Sequence, residues 1–227
     1  MVFNAKLKKY ENNTIMDNEY TIEDIENALR IGDLAEITKM INEGIDVNLF
    51  YLTFRTDVLL EAMVRKNFFL FELVLLKNFD IKKNKFHYLH HAVRTGDKDF
   101  LKKMIEYYKK NNISTKELDQ DNNNLLHTLC LQKYIYKDIL LMLMKENIKW
   151  EQKNIFGHTP LHVLLRNHEY VDDFLIDILL KKKKLFFMKD VSNINCIDIL
   201  KSFSEDSKFM SYINNQKIVN YIKNLKE

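Results

Sequence analysis

The sequence predicts an all-α fold built from repeated helix–turn–helix units with β-hairpin-like fingers between them. The 227 residues contain only four glycines and one proline, too few for the frequent turns of an all-β fold. Apolar residues recur at the three- and four-residue spacings of amphipathic helices. A pattern of turn, small residue, apolar helix and exit also recurs about every 35 residues, which indicates a stack of similar units.

The clearest unit runs from Asn154 to Leu180. Gly157 supplies a tight turn, Thr159 is suited to cap a helix, and Pro160 is suited to its first position. Two apolar helix faces follow, separated by a polar break: Leu161, Leu164 and Leu165, then Val171, Leu175, Ile178 and Leu179. Two short helices cannot bury these faces alone, so the unit requires copies of itself on either side.

The first two units are predicted over residues 20–48 and 49–82. The first begins at Thr21 with an approximate capping box, has a small residue at Ala28 and leaves its second helix at Gly44. The second repeats the small residue and the exit 34 residues later, at Ala62 and Asn78. Asparagine is the usual substitute for glycine where the backbone is left-handed.

The third and fourth units are predicted over residues 83–117 and 118–153. Ala92 is the small residue of the third unit, and Asn122 takes the turn-glycine position of the fourth. A sixth, degenerate unit begins at Asn193, 36 residues after Gly157, and an amphipathic helix follows it. We therefore expect a flexible arm over 1–19, five repeats over 20–190, and a capping repeat with a last helix over 191–227.

Thr159-Pro160-Leu161-His162 after a turn glycine resembles the ankyrin-repeat signature, and Gly44 to Asn48 resembles the exit of such a repeat into its finger. Weaker forms stand at 87–90 and 124–127. The chain is identified as a divergent ankyrin-repeat protein, similar to those of poxviruses and intracellular pathogens. The resemblance implies a solenoid in which box histidines tie neighbouring repeats by hydrogen bonds: His90, His127 and His162.

Composition and motifs argue against several classes of function. The net charge of +3 lacks the basic excess of most nucleic-acid-binding proteins. Cys130 and Cys196 show no metal-ligand spacing, which suits reduced thiols. The polar N-terminus lacks a secretory core, so we expect a soluble, cytoplasmic protein, in the host cell if it is viral or a pathogen effector, with the nucleus also open. The sequence contains no nucleophile elbow or phosphate loop, so we expect no enzyme activity, cofactor or metal.

Candidate partner-binding residues follow from position in the repeat. In ankyrin stacks, the residue two after the small position faces a concave groove. By resemblance, this surface comprises Arg30, Val64, Arg94, Leu131 and Arg166. Arginine combines an apolar stem with forked donors, which suits protein recognition. Aromatic residues are candidate anchors at finger tips: Phe50, Tyr51, Phe86, Trp150 and Phe156.

The predicted function is non-enzymatic binding that sequesters or blocks a host protein, and the predicted protein is a monomer. Family resemblance suggests an antagonist of innate-immune or NF-κB signalling that contributes to host range and virulence. One alternative is nucleic-acid or acidic-surface binding through Lys181 to Lys184 and the groove arginines. Another is a metal enzyme using His87, His90 and His91. The apolar run from Leu185 to Met188 is expected in the next finger, either covered by the sixth unit or exposed for binding.

Overall fold

The computed structural model describes residues 20–52, 56–83, 86–167 and 173–202. The N-terminal arm over 1–19, the predicted helix residue Val171 and the last amphipathic helix lie outside the described residues. The second helix of the sixth unit, for which the sequence pattern indicates residues 206–213, also lies outside them. Within the described part, the chain is mostly helical, with twelve α-helices and one two-stranded sheet. The expectation of an all-α chain is confirmed at this level.

The chain divides between His91 and Ala92 into two compact units. The first unit contains four helices and a short hairpin: α1 (Ile22–Ile31), α2 (Leu34–Asn42), β1 (Tyr51–Leu52), β2 (Thr56–Asp57), α3 (Val58–Val64) and α4 (Phe68–Leu76). A 3-10 turn over Val47–Leu49 leads into the hairpin, whose strands are antiparallel with Tyr51 opposite Asp57. Helix α5 (Tyr88–Arg94) runs across the division.

The second unit contains the remaining helices: α6 (Lys98–Lys110), α7 (Leu125–Cys130), α8 (Lys137–Lys145), α9 (Pro160–Asn167), α10 (Asp173–Leu180), α11 (Lys184–Phe187) and α12 (Cys196–Ser202). First helices contact one another in order, α7 with α9 and α9 with α12. The second helices α6 and α8 also contact. In the first unit, α1 packs on α2 and α3 packs on α4. Helix pairs are thus the packing element of both units.

Left-handed residues recur where second helices end. Gly44, Asn78, Asn112 and Asn147 have φ angles of 104°, 58°, 55° and 57°. At Gly44 the geometry is a Schellman motif, because the Gly44 and Ile45 amides donate to the carbonyls of Ile41 and Met40 at 3.2 and 3.0 Å. The predicted exits at Gly44 and Asn78 are confirmed. Asn112 and Asn147 close their helices with the same pair of hydrogen bonds, and Asn78 shares the left-handed backbone.

The core follows the predicted apolar positions. Ala28, Ala62 and Ala92 are all buried, as expected for the small residues of the first helices. The second helices bury the side chains that the sequence pattern selected in α2 and α6: Ile37, Met40, Ile41, Phe100, Leu101, Met104 and Ile105. In α4, however, only part of the predicted apolar set is fully buried, since Leu73 and Leu75 are half-buried.

The expected finger over Leu185 to Met188 is wrong. Residues Lys184–Phe187 form the short helix α11, which packs on α12. Leu185 and Phe186 are buried, whereas Phe187 is half-exposed. The apolar run therefore belongs mainly to the core of the second unit. The lysines before it are at the surface, except that Lys182 is half-buried with its ammonium 3.9 Å from Glu151.

Substituting Ala62→Leu should lower the free energy of unfolding by about 1–3 kcal/mol, because three extra carbons have no space in a buried position. Val64→Leu, on the same helix but exposed, is the matched control and should change it by less than about 0.5 kcal/mol. Urea unfolding of both variants checks the assignment. Equal effects of the two substitutions would contradict it.

Candidate functional site

Two buried histidines connect the start of one helix to the following finger. The backbone amide of Asn124 donates to Nδ1 of His127 at 3.1 Å, and Thr159 does the same to His162 at 3.2 Å. Because Nδ1 accepts, the ring proton lies on Nε2. His127 Nε2 donates to the His158 carbonyl at 2.9 Å, and His162 Nε2 donates to the Ile194 carbonyl at 3.3 Å. Each ring thus joins residues more than 30 positions apart.

These rings are held neutral. Burial lowers the pKa of His127 to about 4, and burial also lowers the pKa of His162. A proton added to Nδ1 would remove the acceptor for the amide at the helix start. His90, the third residue predicted in this role, is also fully buried.

Three turns of matching geometry form the finger tips of the second unit. Asp119, Asn154 and Asp190 each use Oδ1 to accept two backbone amides, two and four residues ahead, at 2.8–3.0 Å. Asn122, Gly157 and Asn193 follow with φ angles of 58°, 71° and 64°. The predicted turn role of Asn122 is confirmed. Because these side chains accept the amides of their own turns, the turn backbone needs few hydrogen-bond partners from the rest of the protein and can lie at the surface.

Neighbouring tips are hydrogen-bonded to one another. The Ile155 amide donates to the Asp121 carbonyl at 3.0 Å, and the Val191 amide donates to the Phe156 carbonyl at 3.2 Å. Ile155, Phe156 and Val191 are all exposed, Val191 by 74%. We call these three residues the finger strip. An exposed group of large apolar side chains on adjacent turns is typical of an interaction surface.

Arg166, on α9, lies beside the finger strip and is anchored. Its Nη2 donates to Asp190 Oδ2 at 2.8 Å, its Nη1 also contacts His158 Nε2, and a third of the side chain remains exposed. Burial would raise the pKa of the Asp190 carboxyl, but the Ile194 amide, Arg166 and the Ser192 amide outweigh it and lower the pKa. The pKa of His158 is lowered mainly by burial and secondly by the positive charge of Arg166.

The structure places the other predicted groove residues at the surface. Arg30 and Val64 are exposed in the first unit, and Arg30 lies 3.9 Å from Glu26. Arg94 and Leu131 are exposed in the second unit, Leu131 by 49%. Arg166 differs from Arg30 and Arg94, because it forms an ion pair with a buried carboxylate, that of Asp190.

Two of the predicted aromatic anchors are wrong. Phe50 and Trp150 are buried, and the indole N–H of Trp150 is buried without a hydrogen-bond partner. Phe50 precedes β1, and Trp150 precedes the Asn154 turn by four residues, so both lie at the base of a finger. Tyr51 is half-buried, with the Lys83 ammonium 4.6 Å from its ring centre.

The remaining aromatic candidates differ in exposure. Phe86 is half-buried against Tyr88, with ring centres 6.0 Å apart, whereas Phe156 is half-exposed. The sequence reasoning missed Asp190, Val191 and Ile155. The spacing of Asp119, Asn154 and Asp190 at 35 and 36 residues was the available signal.

A groove of about 770 Å³ lies between α1 and α2 of the first unit. Several acidic residues line this groove, and two of them cap the N-termini of helices. Asp24 accepts from the Thr21 amide at 2.8 Å, and Asp33 accepts from the Glu36 amide at 3.0 Å. Glu36 in turn lies 3.6 Å from Lys39. These carboxylates therefore serve the ends of the helices.

Three other kinds of feature matter for function in the part of the chain that the structure describes: metal-ligand clusters, reactive thiols and membrane-spanning helices. There, no group of three or more His, Cys, Asp or Glu side chains could hold a metal ion, the His87–His91 segment included. Cys130 and Cys196 are free and buried, and burial raises the pKa of both thiols. None of the described helices is long and apolar enough to span a membrane.

A scan against protein-family models and a search of curated proteins each returned no match for the chain.

The neutral state of His127 predicts a pH-dependent stability. Between pH about 6.5 and about 4, the unfolded chain binds a proton at this residue that the folded chain does not. The free energy of unfolding should therefore decrease as the pH is lowered through that window, by at most about 3 kcal/mol from this residue. His127→Gln should be less stable at pH 7.5 and show a shallower decline, measured by urea unfolding from pH 7.5 to 4.5. Parallel pH curves would refute the assignment.

Arg166→Ala should lower the free energy of unfolding by about 1–3 kcal/mol, because it leaves the buried Asp190 carboxylate with one charged partner fewer. Arg94→Ala is the matched control at the equivalent exposed position and should cost less than about 0.5 kcal/mol. Thermal and urea unfolding measure both. Equal stability of the two variants would show that the Arg166–Asp190 ion pair does not stabilise the fold.

Proposed function

We propose that the chain is an ankyrin-type, non-enzymatic module that binds another protein. Support comes from stacked helix pairs, from left-handed exits at matching positions and from histidine links of the kind the resemblance implies. The observation that carries the proposal is the exposed finger strip next to the anchored Arg166. Such a surface would act by binding alone, without a catalytic group.

The finger strip and Arg166 combine two features of binding surfaces. Ile155, Phe156 and Val191 offer apolar area that a partner would remove from water. Arg166 offers a guanidinium whose position is already set by Asp190, so little side-chain entropy is lost when a partner accepts its remaining N–H donors. Leu131, at the C-cap of the neighbouring first helix α7, is a further exposed apolar residue at the position that corresponds to Arg166. We place the recognition surface of the second unit here.

The partner class follows from the resemblance. Ankyrin-repeat proteins of poxviruses and intracellular pathogens suggest a host protein that is sequestered or blocked, with innate-immune or NF-κB signalling as the candidate process. Nucleic-acid or acidic-surface binding is the second candidate. The exposed Lys181, Lys183 and Lys184 at the end of α10 favour it, and the small net charge counts against it.

The test is affinity capture from host-cell lysate with mass spectrometry, using the intact protein and two variants. Leu131→Asp combined with Phe156→Ser should reduce the captured protein at least tenfold, since both changes fall on the proposed surface. Leu141→Ser is the matched control, because Leu141 lies on the second helix α8 and is 45% exposed, close to the 49% of Leu131.

All variants are first compared by melting temperature, so that a loss of capture is not a loss of folding. Equal capture by wild type and the Leu131→Asp/Phe156→Ser variant would move the surface elsewhere. Capture that disappears after nuclease treatment, or that weakens steeply with salt, would favour the nucleic-acid alternative.

A further inference from the structure

Helix α4 of the first unit has an unusual composition for a surface helix. Only one of its nine residues, Glu72, is charged, against seven of thirteen in α6. A helix that is apolar all round is normally covered on every side. Here Leu70, Phe71 and Val74 are buried on the side that packs against α3. The rest of the helix requires a separate explanation.

The opposite face of α4 is open to solvent. Phe69 is 68% exposed and Leu76 is 78% exposed, and Leu73 lies between them, half-buried. The spacings of four and three put these residues on one side of the helix. We call Phe69, Leu73 and Leu76 the α4 stripe. It extends over eight residues, from Phe69 to Leu76, about 10 Å or two turns.

Positive charges stand at both ends of the α4 stripe. Lys66, in the turn before the helix, and Lys77, at its C-cap, are both exposed. Lys77 is four residues after Leu73, which puts it on the same side of the helix. The nearby Arg65 is engaged by Glu61 at 2.9 Å, and the half-buried Glu72 borders the stripe within the helix. Lys66 and Lys77 are the exposed positive charges at the two ends of the stripe.

We propose that the α4 stripe is a second docking surface, which binds an amphipathic helix of a partner protein whose apolar side chains are bracketed by acidic residues. A two-turn apolar row matches the i, i+4, i+7 anchors of a helical partner. Carboxylates at both ends of that helix complement Lys66 and Lys77 and select its position. A second copy is a poorer fit, because each copy carries a net charge of +3 and lysines at both ends of the stripe.

This surface goes beyond the function proposed above, because it lies in the first unit and shares no residue with the finger strip. It also differs in chemistry. The finger strip lies on turns beside the anchored guanidinium of Arg166, whereas the α4 stripe is a helix face with exposed lysines at its ends.

The experiment uses two fluorescein-labelled, alanine-based helical peptides with leucines at i, i+4 and i+7. One peptide has glutamates at both ends and the other has lysines. Fluorescence anisotropy with the full-length protein should give at least tenfold tighter binding of the glutamate peptide. Lys66→Glu combined with Lys77→Glu should reverse the order of the two peptides.

Phe69→Ser combined with Leu76→Ser should weaken binding of the glutamate peptide at least tenfold. Ile31→Ser is the matched control, since Ile31 is 62% exposed on α1 of the same unit, and it should leave binding unchanged. If the double serine variant melts at a lower temperature, the Lys66→Glu/Lys77→Glu variant provides the test instead. Both lysines are at the surface, so their substitution should leave the fold intact.

Equal binding of the two peptides, or an equal loss in the Ile31→Ser variant, would overturn the proposal. So would a concentration-dependent dimer in sedimentation equilibrium that disappears in the Phe69→Ser/Leu76→Ser variant. That result would identify a second copy as the occupant of the stripe.

Discussion

The hydrogen bond from a buried histidine ring to the following finger is the interaction on which the second unit depends. His127 accepts a hydrogen bond from a backbone amide at the start of its own helix and donates one to a carbonyl 31 residues away. His162 makes the same two hydrogen bonds, the second to a carbonyl 32 residues away. Both histidine rings are buried, so losing the link would leave a buried ring N–H unpaired. The link therefore sets the spacing between one helix start and the next turn. Changes in length, such as the long α6, occur away from it.

The finger turns depend on this spacing and in turn create the exposed surface. Asp119, Asn154 and Asp190 satisfy the amides of their own turns, so the backbone needs no further partner there except the adjacent tip. The same Asp190 carboxylate also orders Arg166. One acidic residue thus serves the fold of the finger and the orientation of the candidate binding residue. At that position, the fold and the proposed recognition depend on the same side chain.

The two candidate surfaces arise from different physical causes. The finger strip is exposed because short turns project their side chains once their backbone is satisfied. The α4 stripe is exposed because the helix has more apolar surface than its single packed face can cover. The first is a property of the repeated unit, and the second is a property of one helix only. That difference is why we assign them separate partners.

Periodicity in the sequence by itself determined the helix pairs, the left-handed exits at Gly44 and Asn78, the buried alanines and the turn role of Asn122. These features follow from local backbone preference and helical spacing, which act within a few residues. Tertiary structure alone decided that Phe50 and Trp150 are buried at finger bases, that the Leu185 run is helical core and that Arg166 is paired with Asp190. Exposure and pairing depend on what another segment places beside a residue, and no local pattern contains that information.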